Sequence, residues 1–289
     1  MMIQSPALRR LAAIGLAAVM SLALAACFVM PGKFASSLDL RKDGRFTYAY
    51  KGEIFLFGLS KLAQMGQSAE GEFAPSTCYA DDSESTERDC TKDEIAQQRA
   101  EWEDSRKAAA DKRKKDAEEM KAVLGGIDPT DPKAAEELAA RLRRQAGWKS
   151  VIYKGDGIYD VDFAISGHLD YDFNFPTMER MPSFTSFVVA NRRADGTVRI
   201  EAPAFAAGAG GGAMSGLGAL AAMSGKGDDN KDVPNLPTLD GTFTLTTDGQ
   251  ILTNNTDEGP LKDAAGQKLS WTISPRTTAA PVALIKLGN

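Results

Sequence analysis

The sequence predicts an α+β fold, in which a mostly antiparallel β-sheet meander is interrupted by an inserted helical hairpin. Apolar and polar residues alternate with period two in residues 159–165 and 169–175, which is the pattern of half-buried strands. Residues 91–147 carry helix start and stop signals instead. With 289 residues, of which 43% are hydrophobic and 25% charged, the chain can bury a sizeable core.

The first β region is predicted as a hairpin. Residues 37–40 and the aromatic residues Phe46, Tyr48 and Tyr50 alternate on either side of the turn Lys42-Asp43-Gly44. A polar, loop-like segment follows at 66–89 and ends at Cys90.

The helical region begins with a capping box, because Thr91 stands three residues before Glu94. The helix is expected to run to Leu124 and to stop at Gly125 and Gly126. Its middle, 106–119, is almost entirely charged residues and alanine, so we expect a solvated helix that projects from the domain or packs on a narrow stripe. A partner-binding stripe is the alternative, with Ile95 and Trp102 exposed. A second helix is predicted between Asp131-Pro132 and Gly147, with Leu138 and Leu142 on one side.

The second β region is predicted to place two strands around a bend at Ser166-Gly167-His168. Another hairpin is expected around Ala194-Asp195-Gly196, and Asp248-Gly249 predicts a further tight turn. Residues 206–235 are rich in Gly, Ala, Ser and Met and are predicted as a flexible low-complexity loop. The side chains expected to face the interior are Phe163, Ile165, Tyr171, Phe173, Trp271 and Ile273.

The N-terminus has the layout of an export signal: Arg9 and Arg10 precede an uncharged run over 11–26. This run is shorter than the roughly 20 residues of a membrane-spanning helix. The residues Leu24-Ala25-Ala26-Cys27 resemble the lipobox of bacterial lipoprotein precursors. The resemblance implies cleavage before Cys27, diacylglycerol on its sulfur, and an amino terminus acylated with a fatty acid such as palmitate. Phe28 stands where inner-membrane lipoproteins of this kind carry Asp, which favours the periplasmic face of the outer membrane.

These observations divide the chain into a signal peptide (1–26), a lipid anchor and tether (27–36) and a periplasmic α+β domain (37–289) with its helical insertion at 91–147. Removal of the signal leaves 32 basic and 39 acidic side chains, a net charge of -7. An acidic protein without a basic patch interleaved with aromatics is a poor nucleic-acid binder. The expected partners are the membrane, through Cys27, and an envelope protein or lipid.

Two further cysteines, Cys78 and Cys90, remain after acylation. Their even number in an oxidising compartment predicts a disulfide that closes a short acidic loop. Two unpaired thiols are the alternative, and the spacing fits no zinc pattern.

The acidic residues Asp160, Asp162, Asp170 and Asp172 form a weak calcium candidate, since hard cations take oxygen ligands. Acidic residues on the solvated side of a strand are the more common reason for this pattern. No catalytic residue and no cofactor are expected, because His168 has no accompanying nucleophile motif. An enzyme acting on envelope polymers is retained as an alternative, and it would need Asp160, Asp170 and His168 to converge in a cleft.

The β regions also resemble the LppM-type bacterial lipoprotein domain. The resemblance depends on the hairpin start behind the anchor, the turn at 193–196, the segment 248–252, and Gly266, Leu269, Trp271 and Ile273. It implies an α+β unit whose apolar interior binds a lipid. The leading hypothesis is a non-catalytic, membrane-anchored envelope lipoprotein that serves as a binding or structural module. A carrier of a lipid or another apolar ligand is the alternative.

Overall fold

The computed structural model describes residues 29–56, 59–60, 73–80, 87–129, 131–179, 186–206 and 237–288. The signal peptide, Cys27 and nearly all of the predicted loop 206–235 lie outside these ranges. The strands are β1 (Val29–Leu40), β2 (Arg45–Leu56), β3 (Cys78–Tyr79), β4 (Glu87–Arg88), β5 (Trp148–Gly155), β6 (Ile158–His168), β7 (Phe173–Phe175), β8 (Val188–Arg192), β9 (Thr197–Glu201), β10 (Asp240–Thr247), β11 (Gln250–Asn254), β12 (Leu261–Asp263), β13 (Gly266–Ile273) and β14 (Val282–Lys286), and the helices are α1 (Lys92–Val123) and α2 (Ala134–Arg143).

Seven strands form a large mixed sheet in the order β12-β13-β10-β1-β2-β6-β5. The predicted first hairpin is confirmed, since β1 and β2 are antiparallel and Leu38 lies opposite Tyr48. A bulge between Pro31 and Phe34 interrupts this pair, where Gly52 adopts a positive φ of 142°. A side chain at Gly52 would meet the carbonyl oxygen of Lys33 at 2.2 Å, so this close approach requires glycine.

Five strands form the smaller sheet in the order β11-β14-β9-β8-β7, and all of its pairs are antiparallel. The hairpin predicted around Ala194-Asp195-Gly196 is confirmed as the β8–β9 pair. The tight turn at Asp248-Gly249 leads from β10 in the large sheet to β11 in the small one.

The α+β class is confirmed, whereas the meander describes only part of the large sheet. Strand β10 pairs with β1 in parallel, with Leu38 opposite Leu245. A meander pairs each strand with its chain neighbour, and such neighbours are antiparallel. The parallel pair arises because the chain re-enters the large sheet at Asp240, at the same end where β1 begins.

The predicted bend at Ser166-Gly167-His168 is wrong. These residues continue β6, and they pair with Thr47, Phe46 and Arg45 of β2. The long partner strand holds β6 extended to His168, so the chain turns only afterwards. Strand β7 then belongs to the other sheet, where it pairs with β8.

The two sheets pack face to face through aromatic side chains. Ring centroids lie 4.3 Å apart for Phe34 and Phe205, and 5.0 Å apart for Tyr48 and Phe173. The side chains of Leu38, Phe243 and Ile285 are also buried between the sheets. Apolar burial across this interface is the main favourable contribution to the stability of the domain.

The helical insertion is confirmed as a hairpin of α1 and α2. The capping box is formed, because the Glu94 amide donates to Oγ1 of Thr91 and the Thr91 amide donates to Oε2 of Glu94. Gly125 and Gly126 follow α1 with positive φ angles of 64° and 92°. Helix α2 packs on the large sheet with Leu138 and Leu142 buried, and the Tyr159 hydroxyl donates to the carbonyl of Ala135.

The two ends of the sheets differ in what they carry. We call the end where β1 begins the proximal end; it holds Val29, the turn at Gly155–Gly157, and Pro237 beside Gly32. We call the opposite end, with the β1–β2 turn, His168 and the β8–β9 turn, the distal end. Residues 29–36 were predicted as part of a tether, and this is wrong: they are strand, with Val29 only 3% exposed.

Candidate functional site

His168, the one histidine of the sequence, joins two loops at the distal end. Its Nε2 lies 2.6 Å from the carbonyl oxygen of Asp43, and its Nδ1 lies 2.8 Å from Oδ1 of Asp170. Both partners are acceptors, so the ring donates to both when both nitrogens are protonated. The hydrogen bond to Asp170, followed by that to Asp43, therefore raises the pKa of His168 above its ordinary value.

Arg192, the last residue of β8, holds the loop that follows β6. Its backbone amide donates to Oδ1 of Asp172 at 3.0 Å. Its Nη1 donates to the carbonyl oxygen of Leu169 at 2.9 Å. The loop 169–172 is thus fixed from one side by Arg192 and from the other by His168.

Tyr171 lies at the tip of this loop and is 87% exposed. Its prediction as an interior residue is wrong, because the turn after β6 leaves Leu169 buried and directs Tyr171 to solvent. The ring stands beside an open depression of about 410 Å³ lined by Asp170, Tyr171, Asp172, Arg192, Arg193 and Ala194. We call these six residues the distal surface. Exposed aromatic and arginine side chains side by side are typical of protein contact sites.

The four candidate calcium ligands are not brought together. Asp160 and Asp162 lie in β6 opposite Glu53 and Lys51, whereas Asp170 and Asp172 lie beyond the end of that strand. Eight residues of strand separate Asp160 from His168, about 26 Å. Among the described residues, no group of three or more His, Cys, Asp or Glu side chains could hold a metal ion.

The structure also separates the three residues that an enzyme would need to bring together in a cleft. His168 and Asp170 are hydrogen-bonded to each other, but Asp160 is far along the strand. The side chains of His168 and Asp170 are 45% and 63% exposed, so this pair lies on an open surface. Its visible role is to fix the loop that presents Tyr171.

The disulfide between Cys78 and Cys90 is present, with the two Cα atoms 5.2 Å apart. Cys78 begins β3, and Cys90 stands between β4 and α1. The bond therefore holds the β3–β4 pair close to the start of the helix. The Gln98 side chain bonds to the amide and carbonyl of Ser76, and the Phe73 ring packs edge-on against Trp102 at 5.7 Å. We call this arrangement of 73–79 against the start of α1 the clasp.

An ion pair at the clasp adds to the cap of α1. Arg88 Nη2 donates to Oε1 of Glu94 at 2.6 Å. This hydrogen bond, followed by those from Thr91, lowers the pKa of Glu94 to about 2. Glu94 thus stays ionised beside the positive end of the helix.

Between the clasp and Met120, which packs against the core near its end, α1 is a solvated helix, as its composition predicts. None of its described side chains is buried. Residues 106–115 hold six basic side chains and one acidic side chain, a basic band within an acidic chain. Trp102 is half-buried against Phe73 and Arg106, and Ile95 is half-buried, so neither forms the exposed stripe of the partner-binding alternative.

The space between the sheets, where a lipid would lie, is occupied by side chains. Phe163, Trp271 and Ile273 are buried as predicted, and Ile165 and Phe173 are half-buried against the core. A series of contacting rings runs between the sheets: Trp148, Phe163, Phe175, Tyr50, Phe34, Phe205, Phe243 and Trp271.

Neither helix in the described ranges is both long enough and apolar enough to cross a membrane. Comparisons with family models, curated proteins and solved structures find no match for this chain.

The roles of Arg192 and Arg193 and the exposure of Tyr171 were not predicted from the sequence. The available signal was the triplet Asp170-Tyr171-Asp172, in which an aromatic residue stands between two acidic residues just after a strand. Period-two alternation favoured a strand there, because Leu169, Phe173 and Phe175 continue the same pattern.

Proposed function

We propose that this chain is an envelope lipoprotein. Residues 1–26 direct its export and are removed, Cys27 carries the lipid, and the domain faces the periplasm from the outer membrane. The observation that carries the proposal is the segment Leu24-Ala25-Ala26-Cys27 behind a basic and apolar leader. The disulfide Cys78–Cys90 supports it, because such bonds persist in oxidising compartments outside the cytosol.

Its role in this proposal is that of a non-catalytic binding or structural module. The distal surface supports this role, since Tyr171 is exposed on a loop that His168 and Arg192 fix in place. A prepositioned aromatic side chain loses little conformational entropy when a partner binds. The partner is an envelope protein that contacts Tyr171 and the arginines beside it.

The lipid-carrier alternative is less well supported than the module. A carrier needs a cavity that accepts an acyl chain, and such pockets measure roughly 300–1,000 Å³. The rings between the sheets instead contact one another, with Phe163 and Phe175 centroids 4.7 Å apart. The enzyme alternative lacks the convergence of Asp160 with His168 and Asp170.

The anchor is tested by replacing Cys27 with Ala in cells fed an alkyne-tagged fatty acid. The wild-type protein should take up the tag and sediment with outer-membrane fractions on a density gradient. The Cys27→Ala variant should lose the tag and the outer-membrane association, because several buried acyl chains are what hold such a protein on a bilayer.

The matched control is the double variant Cys78→Ser, Cys90→Ser, which keeps Cys27 and should keep the tag. Untagged wild-type protein, or a Cys27→Ala protein that still sediments with membranes, would overturn the anchor. Tagged protein in the inner-membrane fraction would overturn only the placement that depends on Phe28.

A further inference from the structure

We infer that the proximal end of the two sheets lies directly against the lipid headgroups, so that the strands stand away from the membrane and the distal surface faces the aqueous compartment. The inference depends on the proposed acylation of Cys27. It adds a second contact with the bilayer, made by the folded domain itself.

The connection between Cys27 and the large sheet is short. Only Phe28 stands between Cys27 and Val29, and the Cα atoms of residues two apart are separated by at most about 7 Å. Val29 is already part of the sheet, paired with Leu56 and 3% exposed. The headgroup region of one leaflet is about 5–8 Å thick. A lipid on Cys27 therefore brings the proximal end of β1, a central strand of the large sheet, to the headgroups.

The register of the large sheet shows which other strands end at the same height as the start of β1. Met30 lies opposite Phe55, Phe55 opposite Ile158, and Ile158 opposite Gly155. Neighbouring strands are about 4.8 Å apart, so the β5–β6 turn lies about 14 Å to the side of the attachment point at the same height. The membrane-facing end of the large sheet thus extends across the four strands β1, β2, β6 and β5.

Two exposed side chains near this turn, on the outer strand β5, suit a headgroup layer, and the carboxylate of Asp160 lies opposite one of them. Ile152 is 53% exposed although it is a large aliphatic residue, and Lys154 beside it is exposed too. An aliphatic side chain next to a lysine is the combination found at membrane interfaces, where the apolar part enters and the ammonium stays with the phosphates. Phosphate-bearing headgroups are therefore the expected partner of this end.

The opposite end is held far from the bilayer by the same strands. Strand β6 has 11 residues, so it spans about 33 Å from Ile158, just after the β5–β6 turn, to His168. The loop that carries Tyr171 is held at this end by His168 and Arg192. The distal surface would then be presented to soluble or facing-membrane partners.

Depth measurement on the acylated full chain tests the orientation. Lys154→Cys, near the end of β5, and Ala264→Cys, in the β12–β13 turn, place single thiols at exposed positions of the large sheet, one at the proximal and one at the distal end. The native cysteines do not react, because Cys78 and Cys90 are bonded and Cys27 would be acylated. Each variant is labelled with a fluorophore and placed in phosphatidylglycerol–phosphatidylcholine vesicles that contain a headgroup-nitroxide lipid.

The expected result is quenching at position 154 that is several-fold stronger than at position 264. Thr278→Cys, on the exposed loop after β13, provides a second proximal-half probe if the first variant misfolds, and it too should be quenched more than position 264. Equal quenching at both ends, or stronger quenching at 264, in vesicles that bind the protein would overturn the orientation alone. A thiol-reactive Cys27 and protein that does not float with vesicles would overturn the anchor and the orientation together.

Discussion

At the distal end, one imidazole connects the end of β6, the β1–β2 turn and the loop that carries Tyr171. His168 fits this place because Gly44, with a positive φ of 87°, has no side chain there: a Cβ atom would lie 2.8 Å from the ring. The contacts are all with acceptors, and Arg192 is the positive group that opposes protonation. The loop is therefore held best when the ring is charged.

The pKa of His168 should therefore exceed the ordinary value of about 6.5. Because this pKa is raised on folding, the stabilisation is complete below about pH 6.5 and is lost as the pH rises through the folded-state pKa. With one histidine in the sequence, its imidazole resonance can be followed by NMR titration of the untagged domain. Asp170→Asn should lower the pKa, since Asp170 is the largest cause of the shift.

Asp160→Asn provides the control, since it removes a carboxylate from the same strand far from the ring and should leave the titration unchanged. A wild-type pKa at or below the ordinary value would show that the hydrogen bonds to Asp43 and Asp170 do not form in solution.

At the scale of elements, the helices and hairpins that depend on residues close together in the chain could be predicted from the sequence. The capping box at Thr91, the glycines after α1 and the β1–β2 and β8–β9 hairpins are all set by residues close together in the chain. The parallel β1–β10 pair and the assignment of β7 to the second sheet depend on contacts between distant residues. Alternation predicts which side of a strand is buried but not which strand it pairs with.

The difference between local signals and contacts of distant residues also explains which parts of the candidate site could be predicted. Cys78 and Cys90 could be paired by counting cysteines, and His168 was visible as the one residue of its type. The distal surface could not be predicted, because Arg192 and Tyr171 are brought together only by the β7–β8 pair of the second sheet.

Helix α1 depends on its two ends, since none of the side chains described in its middle is buried. Leu124, just after the helix, is fully buried, and the clasp holds the beginning. A disulfide that closes a loop of this length contributes about 3 kcal/mol in the chain-entropy description. The Cys78→Ser, Cys90→Ser variant should therefore lose amide hydrogen-exchange protection in 92–102, while the sheets keep theirs.

Thr91→Ala serves as the comparison, because it removes the cap at a cost of about 1 kcal/mol and leaves the disulfide in place. It should weaken protection only in the first turns of α1. If loss of the disulfide accelerated exchange equally in β2 and β6, the clasp would be part of the global core instead of a local support for the helix.

For the whole molecule, the main question is whether the space between the sheets is filled or can accept a ligand. Phe175 is the central test, because its ring lies within 6.0 Å of the rings of five other residues and it is fully buried. Phe175 itself belongs to the small sheet, whereas four of these residues come from the large sheet and the fifth stands just before β8: Tyr48, Tyr50, Trp148, Phe163 and Phe187.

Phe175→Ala should lower the free energy of unfolding by about 3–5 kcal/mol, the cost of a buried phenylalanine that leaves a cavity behind. Tyr171→Ala removes an aromatic ring four residues away that is almost fully exposed, and it should change stability by no more than about 0.5 kcal/mol. Urea unfolding of both variants measures the difference. If Phe175→Ala were as stable as Tyr171→Ala, and native mass spectrometry of the wild-type protein showed a bound lipid, the interior would be a ligand cavity, and the carrier would replace the module as the role of this domain.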